Sequence, residues 1–185
     1  MAKHHIPNLI TGLRLLLTPP VVLLLIFEEY WLALGIFFVA GISDGVDGFL
    51  AKRYGWKTRL GSVLDPLADK ILLLATFITL GWLSLVPLWL VVLIILRDAA
   101  IVGWAAAYQA LTQRLEVHPN LFSKINTVAQ ILLALSVMFF QEIDIPWSGL
   151  KTTLIILVLV TTLLSGTIYL IEWAKKTKEA LTRDA

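Results

Sequence analysis

Six apolar runs, each long enough to cross a bilayer as a helix, follow one another along the 185 residues of this chain. A helix needs about 20 predominantly apolar residues to span the hydrocarbon core. Only short polar linkers separate the runs, so no room is left for a water-soluble domain between them. The sequence therefore predicts an all-α, polytopic integral membrane protein that forms one domain over residues 1–185, with spans at about 8–27, 31–51, 61–82, 86–111, 121–140 and 150–173.

The composition excludes several classes of protein. Hydrophobic residues make up 58% of the chain and charged residues 15%, which is too apolar for an ordinary water-soluble enzyme or a disordered chain. The chain has no cysteine, which excludes disulfides, cysteine zinc sites and a thiol nucleophile. The cations form no basic groove on a polar body, so no nucleic-acid partner is expected. The N-terminus lacks a signal-peptide cleavage pattern, and we expect no removable leader.

The positive charges fall on one side of the predicted membrane. If the six spans alternate, the side that holds both termini carries Lys3, Lys52, Arg53, Lys57, Arg59, Arg114, Lys124, Lys175, Lys176, Lys178 and Arg183. The opposite side carries Glu28, Glu29, Glu142 and Asp144, with Lys151 as its only cation. Because Lys and Arg concentrate in cytoplasmic loops, we expect both termini to face the cytoplasm, and the pattern suits a bacterial inner membrane.

Four aspartates lie inside the second and third predicted spans, where ionisable groups are costly and usually functional. Asp44 and Asp47 are three residues apart, and Asp65 and Asp69 are four apart, so each pair shares one helix face. A short linker makes the two spans antiparallel neighbours, which brings both pairs to a similar depth near the cytoplasmic surface. Carboxylates without His or Cys nearby favour Mg²⁺, Mn²⁺ or Ca²⁺ over zinc. Four of them suffice for two divalent ions, an arrangement that serves phosphoryl chemistry.

Two neighbouring features allow both a structural and a functional interpretation. Small residues such as Gly41 and Gly48 let helices pack closely, and they also let an anionic ligand approach the backbone. The functional interpretation is stronger for Gly48, which follows Asp47 on the acidic face. Arg97 and Asp98, near the middle of the fourth span, are expected to be partly structural because each neutralises the other.

The acidic residues belong to a long motif. It reads Asp44-x-x-Asp47-Gly48-x-x-Ala51-Lys52, then eight residues, then Gly61-x-x-x-Asp65-x-x-x-Asp69. This resembles the signature of the CDP-alcohol phosphatidyltransferase family, D-x-x-D-G-x-x-A-R-x(8)-G-x-x-x-D-x-x-x-D, with Lys52 in place of the family's Arg as the one departure. The resemblance extends to the six-span layout and to the opening Pro7-Asn8-Leu9-Ile10-Thr11-x-x-Arg14.

The resemblance implies a reaction in which CDP-diacylglycerol gives its phosphatidyl group to an alcohol and CMP leaves. In the family pattern the four aspartates, Asp44, Asp47, Asp65 and Asp69, hold Mg²⁺ or Mn²⁺, with two ions expected. The last of them, Asp69, is the base that takes the proton of the acceptor hydroxyl. The positions that would contact the CDP-lipid are Asn8, Thr11, Gly48, Ala51, Lys52 and Gly61. The family is often dimeric, so a homodimer in contact with membrane lipids is expected.

Two subfamilies are most similar, and they differ in the acceptor alcohol. The Arg97-Asp98 run and the stretch Ser123-Lys124-x-Asn126-Thr127 resemble the cardiolipin synthase subfamily, which uses phosphatidylglycerol. The subfamily that uses glycerol 3-phosphate tends to have a second Arg at the place of Ala105 and a Lys at the place of Asn126. A phosphomonoester needs more cations than a phosphodiester, so these two replacements favour the lipid acceptor.

The favoured prediction is therefore cardiolipin formation from phosphatidylglycerol. Arg97 and Lys124 would meet the phosphodiester of the acceptor, and Asn126 would bond a glycerol hydroxyl. The alternative is phosphatidylglycerophosphate synthesis from glycerol 3-phosphate. An ion-coupled transporter is a remote alternative, because transporters place their sites near the midplane and often show internal repeats, whereas these acids lie near one surface.

Overall fold

The chain is helical throughout most of its length. A computed structural model describes the backbone of residues 6–54, 61–112, 121–143 and 145–183, and the side chains of residues 12–43, 68–104, 121–143 and 145–173. The helices of these ranges are α1 (Ile6–Ile26), α2 (Tyr30–Tyr54), α3 (Gly61–Trp82), α4 (Leu88–Thr112), α5 (Leu121–Ile143) and α6 (Ser148–Arg183). The predicted all-α class is confirmed.

Each predicted span falls on one helix, and most ends differ by only a few residues. The exception is α6, which continues as a helix past Trp173 to Arg183, whereas its apolar span ends at Trp173. The segment after Trp173 is rich in Ala, Lys, Glu and Leu, which are strong helix formers. The end of an apolar run is therefore not the end of the helix here.

Two helices of the described ranges are long and apolar enough to cross a membrane. They are Leu121–Ile143, with a mean hydropathy of 1.5, and Ser148–Trp173, with a mean hydropathy of 2.5. In α1 and α2 the apolar stretches with described side chains are Gly12–Ile26 and Tyr30–Ser43. The helices α5 and α6 agree with the fifth and sixth predicted spans, and the arrangement of six spans stays a prediction.

The helices form two compact units, of which the first comprises Met1–Val86 and Ala134–Trp147. In this unit α1 packs against both α2 and α3. Its buried side chains include Val21 and Leu25 of α1, Phe37 of α2, and Phe77 and Leu80 of α3. The central position of α1 brings together the three helices that carry the opening segment and the aspartate motif.

The turn after α1 has the geometry of a Schellman motif. The amide of Glu28 donates to the carbonyl of Leu25 at 3.1 Å, and the amide of Glu29 donates to the carbonyl of Leu24 at 2.9 Å. Glu28 adopts a positive φ of 62°, the left-handed conformation that this motif requires. The motif satisfies the last carbonyls of α1 and lets α2 begin at Tyr30 without a longer linker.

The turn after α3 repeats this geometry and supports a stability prediction. Ser84 has a φ of 57°, and the amides of Ser84 and Leu85 donate to the carbonyls of Gly81 and Leu80.

A residue other than glycine costs about 1–2 kcal/mol in the left-handed conformation. Glycine removes this strain, but the larger conformational entropy of its unfolded chain offsets part of the gain in stability. We expect Ser84→Gly to raise the free energy of unfolding by roughly 0.5–1 kcal/mol, measured by thermal denaturation in detergent. Ser84→Ala is the control, because alanine keeps the unfavourable φ. An equal effect of both variants would contradict the backbone explanation.

One end of the first unit gathers acidic and aromatic side chains. Burial raises the pKa of Tyr30, which precedes the second predicted span. The negative charges of Glu28 and Glu142 raise this pKa further. The Trp31 ring meets the ring of Phe139 edge-on, with 5.5 Å between the centroids. Glu28 and Glu142 therefore lie at the same end of this unit. This agrees with the predicted alternation of the spans, which puts both acids on one side.

The second unit comprises Pro87–Leu133 and Ser148–Ala185, and within it α4 packs against α6. Many of its large exposed side chains are apolar, such as Leu96, Leu163 and Leu170. Its interior holds the polar residues Arg97, Asn126, Gln130, Thr161, Thr162 and Ser165. Polar groups inside and apolar groups outside are typical of a membrane protein, in which ionisable residues face the interior of the bundle.

Candidate active site

The backbone places the aspartate motif on two helices as predicted. α2 is helical through Asp44 and Asp47, and α3 is helical through Asp65 and Asp69, so the two positions of each pair share a helix face. The side chains of three aspartates, Asp44, Asp47 and Asp65, lie outside the described residues. So do the side chains of the predicted CDP-lipid positions Asn8, Thr11, Gly48, Ala51, Lys52 and Gly61. The convergence of the four carboxylates stays a prediction.

One point of the sequence argument, the packing of the second span against the third, stays a prediction because residues 44–67 lie outside the described side chains. That argument treats the second and third spans as direct neighbours. Within the described ranges α1 contacts both α2 and α3, whereas α2 and α3 share no comparable contact. The linker length alone does not reveal this, because a short connection brings two helix ends together and leaves open which third helix packs along them.

Asp69, the predicted base, forms an ion pair with Arg14 of α1. Nη1 of Arg14 donates to Oδ1 of Asp69. The side chain of Arg14 is 3% exposed, and that of Asp69 is 42% exposed. A buried cation therefore orients a carboxylate that is still open to approach. The resemblance includes Arg14 as part of the opening segment but does not pair it with Asp69. The available signal was a lone cation inside the first predicted span.

The described residues fit a divalent ion only in part. Among side chains in the described ranges, no three His, Cys, Asp or Glu residues form a group that could hold a metal ion, and three of the four predicted ligands lie outside those ranges. Asp69 itself is a suitable hard oxygen ligand. Its ion pair through Oδ1 does not exclude a metal contact, because a carboxylate offers about four lone-pair sites.

Arg97 joins the three helices of the second unit. Its Nη1 donates to Oδ1 of Asp98 at 2.5 Å, and its Nη2 donates to Oγ of Ser123 in α5 at 2.8 Å and to Oγ of Ser165 in α6. The residue is 7% exposed. The interpretation of Arg97 and Asp98 as a mutually neutralising pair agrees with these contacts. Ser165 escaped the sequence analysis because serine is common at helix interfaces.

Asn126 lies next to this cluster and is completely buried. Its Oδ1 accepts hydrogen bonds from Thr161 at 2.9 Å and from Thr162 at 2.8 Å. Within the described ranges, Nδ2 of Asn126, Nε2 of Gln130 and Nε of Arg97 are buried without a hydrogen-bond partner. All three atoms are donors. Buried donors without partners are uncommon in folded proteins, and they suit a ligand that is rich in oxygen acceptors.

Of the three predicted acceptor-binding residues, Lys124 is the exposed one. It lies in the first turn of α5, two positions before Asn126, and its side chain is exposed. Arg97 and Asn126 are instead buried in hydrogen-bonded clusters that both include α6. The second unit thus offers an accessible cation beside a buried, donor-rich interior. The binding of an acceptor by these residues stays a prediction.

The chain is similar to known phosphatidyltransferases. Residues 4–174 match the family model described as CDP-alcohol phosphatidyltransferase. The cardiolipin synthase (CMP-forming) of Rattus norvegicus is 36% identical over 146 residues, which cover 69% of this chain and 48% of that protein. The CDP-diacylglycerol–glycerol-3-phosphate 3-phosphatidyltransferase of Bacillus subtilis (strain 168) is 30% identical over 165 residues, which cover 79% of this chain and 84% of that protein. This chain thus spans about half the length of the rat relative.

The family match covers almost all of the described helices, from α1 to Trp173 in α6. Members of the family are transferases of phospholipid biosynthesis, are bound to membranes, and generally depend on a divalent metal. The resemblance that the aspartate motif indicates is confirmed at the level of the family. The chain belongs to the CDP-alcohol phosphatidyltransferase family.

Proposed function

We propose that this chain transfers the phosphatidyl group of CDP-diacylglycerol to phosphatidylglycerol, which releases CMP and forms cardiolipin. The family supports the phosphatidyl transfer. The rat relative, named cardiolipin synthase (CMP-forming), and the charges of the second unit support the acceptor.

The observation that carries the choice of acceptor is the charge compensation around Arg97. Asp98 neutralises Arg97 at 2.5 Å, and the neighbouring polar residue Asn126 is a neutral amide. Glycerol 3-phosphate carries about two negative charges on its phosphomonoester, which this neutral cluster would not balance. Phosphatidylglycerol carries a single phosphodiester charge, for which the exposed Lys124 is a sufficient partner.

Glycerol 3-phosphate is the second candidate acceptor. The relative from Bacillus subtilis is named for this substrate, and the match covers 84% of its length. In that case the second phosphate charge would need cations other than the compensated Arg97. Because the family consists of transferases, the ion-coupled transporter is not carried further.

The proposed chemistry centres on Asp69. The oxygen of the acceptor hydroxyl forms a bond to the phosphorus of the phosphatidyl group, the bond from phosphorus to the CMP oxygen breaks, and Asp69 takes the hydroxyl proton. The ion pair with Arg14 would hold the carboxylate of Asp69 in one orientation while that carboxylate takes the proton. A divalent ion bound there would neutralise pyrophosphate charge and polarise the phosphorus. The residues proposed to hold Mg²⁺ or Mn²⁺, as two ions, are Asp44, Asp47, Asp65 and Asp69.

The CDP-lipid is proposed to bind on the motif helices. Gly48, Ala51 and Gly61 would let the nucleotide approach the backbone, and Lys52 would supply a cation near the phosphates. Lysine is a point charge without the two-pronged geometry of arginine, so this contact would be less directional than in relatives with Arg. Asn8 and Thr11 of α1 would complete this side of the site. The packing of α1 against α2 and α3 supports this grouping.

The proposal includes the membrane arrangement. All six helices would cross the membrane within a single domain over residues 1–185, with both termini and the site facing the cytoplasm of a bacterial cell, and the protein would form a homodimer. The apolar exterior and polar interior of the second unit support a membrane location. The distribution of cations in the linkers supports the orientation.

The test uses purified protein in detergent with CDP-diacylglycerol and Mg²⁺. Phosphatidylglycerol and glycerol 3-phosphate are offered in parallel, and CMP and the lipid product are followed. We expect cardiolipin from phosphatidylglycerol and no product from glycerol 3-phosphate. Formation of phosphatidylglycerophosphate alone would reject the proposed acceptor and favour the second candidate.

The metal assignment gives a separate prediction about binding. Asp44→Ala and Asp65→Ala should each weaken Mg²⁺-dependent binding of CDP-diacylglycerol by more than about tenfold, since even the loss of a residue that only supports a metal ligand costs about 10–100-fold. Binding is measured by calorimetry with Mg²⁺ and again with EDTA. Glu29→Ala removes an exposed carboxylate from the turn after α1 and serves as the control. Unchanged Mg²⁺-dependent binding in the aspartate variants would reject the metal site.

A further inference from the structure

The second unit contains a cavity of about 260 Å³ between α4 and α6. Most of its lining is apolar, and three of the lining leucines are exposed. These leucines are Leu96, Leu163 and Leu170, which are 61%, 50% and 56% exposed. Trp104 and Trp173 also line it, with ring centroids 6.0 Å apart. The cavity therefore opens on the apolar exterior of the helix pair.

The polar residues of the described lining include Arg97, Thr162, Thr167 and Tyr169. Nε of Arg97 is a buried donor without a partner, and Thr162 donates to Oδ1 of Asn126, whose Nδ2 is a second such donor. A group that only accepts hydrogen bonds, such as a phosphodiester, complements this surplus of donors. The cavity thus combines a mostly apolar lining with the guanidinium of Arg97 as a hydrogen-bond donor, which suits the acyl chain and the phosphodiester oxygens of a phospholipid.

We infer that this cavity holds an acyl chain of the acceptor phospholipid, with the phosphodiester of that lipid beside Arg97. This inference rests on the proposed function for the identity of the lipid. The CDP-lipid is proposed to bind on α1, α2 and α3, whereas the lining residues of this cavity, among those that the structure describes, belong to α4 or α6. The cavity would make an acylated acceptor bind better than its water-soluble headgroup.

Gly166 offers a direct way to fill the cavity. It lines the cavity on α6, and a Cβ atom at this position would lie 3.7 Å from Cγ of Arg97, an ordinary contact. The backbone therefore accepts a side chain at this position, and the longer side chain of Gly166→Leu would extend into the cavity. Gly103→Leu on α4 is the matched control, because a Cβ there meets nothing within 4 Å and the residue does not line the cavity.

The kinetic test compares dioleoyl-phosphatidylglycerol with its deacylated headgroup, glycerophosphoglycerol. We expect Gly166→Leu to raise the KM for the lipid about tenfold, equivalent to lost burial of about two methylene groups. The KM for CDP-diacylglycerol and the kcat/KM for the headgroup should stay at the values of the unchanged protein. Gly103→Leu should change none of these constants. A lipid KM in Gly166→Leu equal to that of Gly103→Leu would overturn the inference.

A binding measurement separates this inference from the proposed function. Phosphatidylglycerol and phosphatidylcholine with brominated chains are added to the detergent-solubilised protein, and quenching of tryptophan fluorescence is recorded. We expect stronger quenching by phosphatidylglycerol than by phosphatidylcholine. Each of the variants Trp104→Phe, Trp173→Phe and Gly166→Leu should reduce this difference in quenching.

If no cardiolipin forms but the difference in quenching persists, the proposed function fails and the cavity site stands. Equal quenching by both lipids would overturn the site. If Gly166→Leu does not fold, the same measurements are made with Leu163→Phe, which narrows the same cavity.

Discussion

Asp69→Asn should reduce turnover by about 10³-fold or more, since a general base alone contributes about 10²–10⁴-fold and the same carboxylate is a proposed metal ligand. The amide oxygen of asparagine can still accept from Nη1 of Arg14, the contact that Asp69 makes through Oδ1. The variant is therefore expected to fold, although it no longer neutralises a cation that is 3% exposed. The measurement is CMP release with CDP-diacylglycerol, phosphatidylglycerol and Mg²⁺.

The control for this prediction is Glu142→Gln, the same chemical change at an exposed carboxylate near the end of α5. It should keep normal turnover. The thermal unfolding of both variants shows whether the protein is intact. Normal CMP release by a folded Asp69→Asn variant would remove Asp69 from the proposed mechanism and would leave the pair with Arg14 as a structural contact.

Asp98→Ala should destabilise the protein by about 3–5 kcal/mol, because removal of one partner of a buried ion pair leaves an uncompensated charge. The side chains of Arg97 and Asp98 are 5% and 19% exposed. The serines that also bond Arg97 are neutral and cannot replace the carboxylate charge. The free energy of unfolding is measured by denaturant titration in mixed micelles.

A second variant distinguishes charge from packing at this site. Arg97→Met combined with Asp98→Ala removes both charges, and we expect it to be less destabilising than Asp98→Ala alone, since the penalty of the unpaired cation is gone. Glu29→Ala, at an exposed position, should change stability by less than about 0.5 kcal/mol. If the double variant loses as much unfolding free energy as the single variants Arg97→Met and Asp98→Ala lose together, Arg97 and Asp98 act independently.

The family and the helices that carry the motif could be predicted from the sequence, whereas the convergence of the motif side chains stays a prediction. The aspartate motif and the family followed from residue types at set spacings, and each predicted span falls on one helix. The end of α6 could not be predicted from hydropathy, because helix propensity continues where the apolar run stops. The direct neighbour relation of the second and third spans is not seen in the described residues, where α1 contacts both helices.

The partners of the site residues required the tertiary structure. Arg14 and Asp69 are 55 positions apart, and Asn126 and Thr162 are 36 apart. The sequence predicts that Arg97, Lys124 and Asn126 bind the acceptor together. The structure separates them into buried, hydrogen-bonded residues and the exposed Lys124. That difference depends on which face each helix turns toward its neighbours.

The sequence by itself determined the all-helical class, the positions of the helices and the family. These properties depend on local quantities: the length of an apolar run, the spacing of acids along one helix, and the identity of motif residues. Only the tertiary structure decided which buried cation meets which carboxylate, where hydrogen-bond donors remain without partners, and where a cavity opens between α4 and α6. Those features depend on the rotation and packing of separate helices, which no local pattern along the chain encodes.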